Sequence, residues 1–250
     1  MTKRTIIITG GSRGIGATIS ETFHAEGYNV VIAGRTDTGL ATKLGNRAQF
    51  FATDVRHPQA LKKLVKETLE WTGQLDVLLN NAGVSAWQPL AEISETFWQD
   101  MVDTNLKSVL FACQAAVPYL KNESTIINIS SLAGKRGSAN NSVYCATKFG
   151  VNGITQSLAK ELGPRGIRVN AVCPVYVTTD GLVEALNKPD SPTGGQDTKA
   201  YLANFAATQT ALGILPTAGQ IAAMCLFLAS PAASAITGQC INVDCGVLPQ

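Results

Sequence analysis

The sequence is poor in the residues that several functional classes need. It contains two histidines, His24 and His57, so a zinc site or a serine–histidine–aspartate triad has almost no side chains to draw on, and we predict no metal site. Charged residues make up 15% of the chain, its net charge is +2, and no run of lysines and arginines exceeds two. Nucleic acids and anionic membranes are therefore not expected as partners.

Long hydrophobic runs and paired cysteines are also missing. The isoleucine run at 6–8 is too short for a signal peptide, and the apolar segment 221–229 falls far short of the roughly 20 residues that span a membrane. The six cysteines are scattered without a CxxC pair, which favours reduced thiols over disulfides. We expect no membrane segment and a cytoplasmic location.

Short β-branched runs alternate with helical patterns along the whole chain. The predicted strands are RTIIITG, NVVIAG, AQFFAT, LDVLLNNAG, STIINISS, IRVNAVCP and QCINVD, and the main predicted helices cover 14–26, 58–71, 94–120, 142–162 and 218–229. Apolar strands separated by helices are typical of a parallel sheet covered on both faces. We predict an α/β fold with a doubly wound, Rossmann-like sheet of seven strands, whose ligands bind at the carboxyl ends of the strands. No linker or repeat divides the chain, so residues 1–250 are expected to form one domain.

One segment interrupts this alternation. Residues 186–198, LNKPDSPTGGQDT, are rich in proline, glycine and aspartate and separate two helical patterns. In this architecture a long, late insertion is more often a lid than a domain boundary. Residues 181–210 are therefore predicted to form a lid over the substrate.

A glycine-rich stretch, TGGSRGIG at 9–16, joins the first strand to the first helix. Glycines let the backbone turn tightly and approach a pyrophosphate, and the helix N-terminus offers unpaired N–H groups. A plain flexible turn is the alternative, but the preceding strand favours a dinucleotide site. The residues predicted to contact the cofactor here are Gly10, Ser12, Arg13, Gly14, Ile15 and Gly16.

The end of the second strand indicates which dinucleotide binds. NAD sites usually present an acidic residue there for the ribose 2′-OH, whereas this chain has Gly34 followed by Arg35. Arg13 is expected on the same side, and two guanidiniums without a carboxylate suit a 2′-phosphate. Two solvated surface arginines are the alternative. The sequence favours NADP(H) over NAD(H), with Asp54 after the third strand placed to hydrogen-bond adenine.

The stretch SVYCATK sets Tyr144 and Lys148 four residues apart, on one face of a predicted helix. Alone, this spacing is usually an ordinary helix surface. Here Ser131 precedes Tyr144 by 13 residues, and the motifs NNAG, DTNLKS, RVNAVCP and ITGQCINVD occur in order along the chain. With all of these motifs, essentially the whole chain resembles the short-chain dehydrogenase/reductase family of about 250 residues.

The resemblance implies a catalytic group of four residues. Tyr144 would act as acid and base, Ser131 would orient the substrate oxygen, and Asn105 would hold a water chain leading to Lys148. A phenol with a pKa of about 10 is a poor base at neutral pH. An ammonium about 4 Å away is worth roughly 4 kcal/mol at an effective dielectric near 20, which predicts a phenol pKa lowered by about three units.

Further cofactor contacts follow from the same resemblance. They are Val55, Asn81, Ala82, Gly83, Pro174, Val177 and Thr179, together with Tyr144 and Lys148. The chain departs from the family at Val175 and Cys245, which stand where glycine is usual. Because of Val175, the loop over the nicotinamide is expected to follow a modified path, whereas Cys245 is expected to fill a small packing site near a subunit contact.

The sequence thus predicts an NADP(H)-dependent oxidoreductase, a short-chain dehydrogenase/reductase that interconverts a secondary alcohol and a ketone on a small organic molecule. A sugar or nucleotide-sugar epimerase or dehydratase is one alternative, although such relatives usually carry a further substrate domain. A non-catalytic cofactor-binding sensor is the other, against which the intact catalytic group argues. The resemblance also implies a homotetramer built on helices 94–120 and 142–162 and on the C-terminal strand.

Overall fold

Seven parallel strands form a single sheet in the computed structural model, which describes residues 3–249. The strands are β1 (Thr5–Thr9), β2 (Asn29–Gly34), β3 (Ala48–Ala52), β4 (Val77–Asn80), β5 (Thr125–Ile129), β6 (Arg168–Pro174) and β7 (Cys240–Val243). Their order in the sheet is β3-β2-β1-β4-β5-β6-β7, and each neighbouring pair is parallel. The predicted doubly wound α/β fold is confirmed.

Helices connect the strands and cover both faces of the sheet. They are α1 (Gly14–Ala25), α2 (Leu40–Leu44), α3 (Pro58–Thr72), α4 (Glu95–Val102), α5 (Ser108–Ala116), α6 (Ser142–Leu162), α7 (Asp180–Leu186), α8 (Thr198–Gln209) and α9 (Ala218–Ala229). The helix predicted over 94–120 is divided, because a π-helical turn, Asp103–Lys107, separates α4 from α5. Among residues 3–249, no helix has the length and apolar composition needed to cross a bilayer.

The strands are apolar throughout because helices pack on both of their faces. Along β1, Ile6 and Ile8 contribute to the core cluster that includes Ile221 of α9, while Ile7 contributes to the cluster on the other face, with Leu61 of α3. All three isoleucines of β1 are fully buried. This is the alternation of a strand, but with both faces apolar.

The strand order places the binding cleft. From β1 the chain builds outward through β2 to β3, then crosses back so that β4 lies on the other side of β1. The loops after β1 and β4 therefore leave the sheet in opposite directions and open a crevice at its carboxyl edge. The predicted glycine loop follows β1, and NNAG begins at the end of β4, so both lie at this crevice.

Candidate active site

The glycine loop surrounds a space, called the cradle below, that side chains at its glycine positions would fill. Gly10 and Gly14 have φ of +65° and +55°, a conformation that glycine adopts with little strain. A Cβ added at Gly16 would lie 2.1 Å from the main-chain oxygen of Gly10. Arg13 caps α1 without a side-chain hydrogen bond in the described chain, so N–H groups at the start of α1 face the loop. The loop fits the pyrophosphate of a dinucleotide.

The two predicted phosphate-binding arginines lie at the mouth of this cradle. A Cβ at Gly34 would lie 3.2 Å from Oγ of Ser12, so the end of β2 adjoins the glycine loop. Arg13 and Arg35 are both exposed, and neither forms an ion pair with any residue of 3–249. Ile15 packs against the core beneath the loop. Binding of a 2′-phosphate by these two arginines remains a prediction.

Asp54 and Val55 follow β3 at the far end of the cleft. Val55 is buried, and its contact with a cofactor remains a prediction. Asp54 is bound by Arg56, whose Nη2 lies 2.7 Å from Oδ2. This arginine was not predicted, although a cation two residues after the aspartate was the available signal.

The NNAG motif fastens the glycine loop to the centre of the sheet. Nδ2 of Asn81 donates to the main-chain oxygens of Thr9 and Gly10 at 3.1 and 3.0 Å. The N–H groups of Asn81 and Ala82 donate to Oγ1 of Thr9. A Cβ at Gly83 would lie 3.8 Å from Nζ of Lys148, so this motif links the cradle to the reactive residues.

Tyr144 and Lys148 lie one turn apart on α6 and converge at the carboxyl edge of the sheet. Lys148 is buried and donates a hydrogen bond to the main-chain oxygen of Ile129 at 2.9 Å. Its Nζ lies 5.6 Å from the centre of the Tyr144 ring. Since Ile129 ends β5, this bond holds the ammonium beside the cleft, with donor capacity left for a ligand.

The pKa values of this pair differ from the sequence argument. Burial raises the pKa of Tyr144 to about 12, with a smaller opposing effect from a hydrogen bond with Ser131. Burial likewise lowers the pKa of Lys148 to about 8. Desolvation disfavours each charged form, so the predicted lowering of the phenol pKa by the ammonium is wrong. At neutral pH the phenol is protonated and the lysine carries its charge.

Ser131 follows β5 and is partly accessible, whereas Ser130 is buried and turned to α6. Oγ of Ser131 accepts a hydrogen bond from the N–H of Ala133 at 3.1 Å, so its own hydrogen remains to donate elsewhere. Oγ of Ser130 donates to the main-chain oxygen of Lys148 at 3.3 Å. The two serines, adjacent in the chain, thus face different neighbours, as successive residues of an extended segment do.

Asn105 lies buried in the π-helical turn between α4 and α5. Its Oδ1 accepts from the N–H of Val84 at 2.8 Å, and its Nδ2 donates to the oxygen of Val84 at 2.9 Å. The side chain therefore anchors the loop after β4. The predicted water chain to Lys148 remains a prediction.

The loop after β6 closes the other wall of the cleft. Pro174 and Val177 are buried, and Thr179 caps α7 by accepting a hydrogen bond from the N–H of Leu182. A Cβ at Gly14 would lie 3.5 Å from Cγ2 of Thr179, so this loop reaches across to the glycine loop. Val175 is not among the non-glycine residues of the described chain with positive φ, and its backbone therefore does not require glycine.

The segment after β6 also adds an aromatic cluster that the sequence argument missed. The ring of Tyr176 packs edge-on against Phe205 at 4.9 Å and Tyr201 at 6.1 Å, and the hydroxyls of Tyr176 and Tyr201 are 3.4 Å apart. The signal was the spacing of Tyr201 and Phe205, four residues apart on α8. Trp87, from the loop after β4, belongs to the neighbouring buried cluster.

Comparison with known proteins extends along nearly the whole chain. Residues 10–248 match the model of a family described as "Enoyl-(Acyl carrier protein) reductase". The 3-oxoacyl-(acyl-carrier-protein) reductase FabG of Staphylococcus aureus is 38% identical over 256 residues, covering 99% of this chain and 98% of the relative. The reductase of the same name from Chlamydia muridarum is 36% identical with the same coverage.

Solved structures give the same result. A structure titled short-chain dehydrogenase/reductase SDR:Glucose/ribitol dehydrogenase, from Brucella melitensis, superposes with a TM-score of 0.90 and 34% identity, covering 99% of this chain and 97% of its own. A variant of an actinorhodin polyketide ketoreductase, solved with NADPH, gives a TM-score of 0.89 and 31% identity, with 98% and 97% covered. The likeness extends over sequence and fold together.

Proposed function

Since the chain belongs to the short-chain dehydrogenase/reductase family, we propose that it is an NADPH-dependent ketoreductase acting on a small organic ketone. The observation that carries this proposal is the convergence of Tyr144, Lys148 and Ser131 at the carboxyl edge of the sheet, joined to the glycine cradle through Gly83. A proton donor, a cation and a hydrogen-bond donor thus lie beside a dinucleotide site.

The chain's own residues supply the proton and the charge that reduction requires. NADPH, when bound, supplies the hydride for the carbonyl carbon. Tyr144 donates its phenolic proton to the carbonyl oxygen as that oxygen gains negative charge, and Ser131 donates a hydrogen bond to the same oxygen. Lys148, charged at neutral pH, stabilises the phenolate that Tyr144 becomes. Because the raised pKa keeps the phenol protonated, the resting site is prepared for reduction.

The residues around the glycine loop would hold the cofactor. The N–H groups at the start of α1 would bind its pyrophosphate, and Arg13 and Arg35 would bind its 2′-phosphate. Lys148 retains N–H groups beyond its bond to Ile129, which would donate to the nicotinamide ribose. Thr179 would lie at the carboxamide.

Residues 181–210 would form a lid over the substrate, and the aromatic cluster of Tyr176, Tyr201 and Phe205 would form one wall of its pocket. Because two relatives are named as 3-oxoacyl-(acyl-carrier-protein) reductases, a 3-oxoacyl thioester is the first substrate to test. We also propose a homotetramer, because Trp98, Leu110 and Phe149 expose large apolar side chains on α4, α5 and α6. The cytoplasm is its proposed location.

The test is a panel of ketones, including a 3-oxoacyl thioester and simple cyclic ketones, assayed by loss of NADPH absorbance. Turnover with NADPH is expected, and NADH should be used at least about tenfold less efficiently. The double variant Arg13→Ala/Arg35→Ala should lose most of this preference while it keeps turnover with NADH. A preference for NADPH in the double variant as strong as that of the wild type would remove the assignment of the 2′-phosphate site, and no turnover with any ketone would remove the activity.

A further inference from the structure

One face of α6 holds three side chains that contact the segment carrying Ser131. Tyr144, Lys148 and Asn152 follow one another at four-residue intervals along this helix, so they lie in one row. Tyr144 forms a hydrogen bond with Ser131, and Lys148 donates to the main-chain oxygen of Ile129. The proposed reaction uses the first two side chains of this row and gives the third, Asn152, no role.

Asn152 holds the turn that follows Ser131. Ser131 is the N-cap of a 3₁₀ turn, Leu132–Gly134, and its main-chain oxygen accepts a hydrogen bond from the N–H of Gly134 at 2.9 Å. Nδ2 of Asn152 donates to the main-chain oxygen of Gly134, also at 2.9 Å. Asn152 is 8% exposed, so water competes little for this bond. The bond therefore ties the end of the turn to α6.

The turn lies directly on the backbone of α6. A Cβ added at Gly134 would lie 2.7 Å from the main-chain oxygen of Lys148 and 2.8 Å from Nδ2 of Asn152, so no side chain separates the turn from the helix. The side chain of Ser131 belongs to the same unit, because its Oγ accepts from the N–H of Ala133 at 3.1 Å. A displacement of the turn would therefore carry the Ser131 hydroxyl with it.

The surroundings of Asn152 also fix the orientation of its amide. With Nδ2 facing the oxygen of Gly134, a donor meets an acceptor, whereas the reversed amide would place two oxygens against each other. Sγ of Cys173 on β6 lies 3.9 Å from Oδ1 of Asn152 and donates to it. Asn152 thus links α6, the turn after β5 and strand β6. Such supporting hydrogen bonds hold a reactive neighbour in its working geometry.

We propose that Asn152 is a positioning residue for Ser131. By holding residues 132–134 against α6, it keeps the Ser131 hydroxyl beside the hydroxyl of Tyr144, so that both reach the same substrate oxygen. The inference rests on the proposed function, in which Tyr144 gives that oxygen a proton and Ser131 gives it a hydrogen bond. The two donors act together only while their separation is maintained, and a displacement of about 1 Å is enough to cost roughly 100-fold in rate.

Asn152→Leu tests this role, because leucine has the same branched shape but neither donates nor accepts. The kcat for ketone reduction should fall by at least about tenfold. The dissociation constant for NADPH should stay within about threefold, and KM for the ketone should change less than kcat, since the Ser131 hydrogen bond strengthens as charge develops on the oxygen. Circular dichroism establishes folding, and Asn152→Ala replaces the leucine variant should that protein not fold.

Asn170→Leu is the matched control. Asn170 is a fully buried asparagine on β6, and its Nδ2 likewise donates to a main-chain oxygen at 2.9 Å, that of Ile236 before β7. The same substitution there removes a comparable hydrogen bond away from the Ser131 turn. Both variants should lose stability in urea, but Asn170→Leu should keep kcat within about threefold of wild type. An equal fall in kcat in the two variants would overturn the inference, because lost packing would then explain both.

A double variant shows whether Asn152 acts through Ser131. In a protein that already carries Ser131→Ala, there is no hydroxyl left to position, so adding Asn152→Leu should lower the remaining kcat by less than about threefold. A full loss of about tenfold in this background would overturn the inference, as would wild-type kcat in a folded Asn152→Leu protein. Ketone reduction by the wild type would stand in either case. No turnover of any ketone by the wild type would overturn the proposed function and this inference with it.

Discussion

Tyr144 stands half-buried between Ser131 and Lys148, and two opposing effects act on its hydroxyl. Desolvation raises its pKa to about 12, against the lowering effect of the hydrogen bond with Ser131. The resting phenol is therefore an acid that holds its proton, as donation to a developing alkoxide requires. The same burial opposes formation of the phenolate, so at neutral pH the free protein is prepared to donate this proton rather than to accept one.

Replacing Tyr144 by phenylalanine tests this role with a single oxygen removed. Tyr144→Phe should lower kcat for ketone reduction by at least about 100-fold, because general acid catalysis contributes 10²–10⁴. The dissociation constant for NADPH should stay within about threefold. Tyr119→Phe, at a residue that is 50% exposed, is the control and should leave kcat unchanged. Retention of wild-type kcat by Tyr144→Phe would remove Tyr144 from the reaction.

Lys148 lowers the stability of the fold in which it is buried. Its pKa falls from the ordinary value of 10.5 to about 8, so keeping it charged in the native state at pH 7 costs roughly 3 kcal/mol. Lys148→Met removes this cost but leaves the oxygen of Ile129 without its donor, a loss of about 1 kcal/mol. The variant should be inactive, yet more stable in urea at pH 7 by about 1–2 kcal/mol.

The sign of this effect depends on pH. Between pH 8 and 10.5 the unfolded wild-type chain binds the proton of Lys148 more strongly than the native protein does, so the free energy of unfolding contributed by this group rises with pH. The advantage of Lys148→Met is therefore complete below about pH 8 and fades as the pH approaches 10.5. Urea titrations of both proteins at the two ends of this range measure it. A folded variant less stable than wild type at pH 7 would contradict the prediction.

Among the elements, the strand–loop–helix unit β1–α1 depends most directly on the absence of side chains. The oxygen of Gly10 lies where a Cβ of residue 16 would have to be. The backbone of the tight turn and the backbone of the first turn of α1 therefore pack directly against each other. Asn81 then bonds the oxygens of Thr9 and Gly10. The cradle is a rigid part of the sheet edge rather than a flexible loop.

Gly16→Ala should disrupt this unit. With the added Cβ only 2.1 Å from the oxygen of Gly10, the backbone must shift, and we expect a loss of about 2–3 kcal/mol in the free energy of unfolding. Binding of NADPH should weaken at least about tenfold, as measured by fluorescence titration. Gly219→Ala is the opposite control: Gly219 is exposed in the first turn of α9, where an added Cβ would lie 3.7 Å from Oγ1 of Thr217, and alanine there should stabilise by about 0.5–1 kcal/mol. If both variants changed the free energy of unfolding by the same amount, steric crowding at Gly16 could not be what shapes the cradle.

For the molecule as a whole, the crossover between β1 and β4 determines where everything reactive lies. Parallel strands deliver all their following loops to one edge, and the reversal of strand order opens a crevice there. The cradle after β1, the motif after β4, Ser131 after β5 and Thr179 after β6 consequently face one another. Residues more than a hundred positions apart in the chain thus form one site.

The exposed apolar side chains on α4, α5 and α6 lead to a prediction about assembly. Phe149 is 49% exposed, and Trp98 and Leu110 are 46% and 44% exposed. Phe149→Glu would place charges inside the proposed interface and should convert the homotetramer to smaller species, measured by light scattering after size exclusion. Leu90→Glu, outside these helices at 83% exposure, should leave the mass unchanged. A wild-type protein that elutes as a monomer would contradict the proposed tetramer.

Local patterns were sufficient for most of the fold. The predicted helix 142–162 agrees with α6 because the caps and the side-chain period lie within the segment itself. The five-residue α2 was missed, since so short a helix has little period of its own. The helix predicted at 94–120 is interrupted because Asn105 bonds Val84, a contact between segments 21 positions apart.

The division between sequence and tertiary structure follows from the range of the interactions. Hydrophobic period and glycine placement act over a few residues, so the chain alone specified the seven-stranded sheet, the glycine cradle and the spacing of Tyr144 and Lys148. Burial and the choice of hydrogen-bond partners depend on how distant segments pack. Only the folded structure, therefore, decided that desolvation raises the pKa of Tyr144, that Arg56 pairs with the carboxylate of Asp54, and that Tyr176 joins an aromatic cluster on α8.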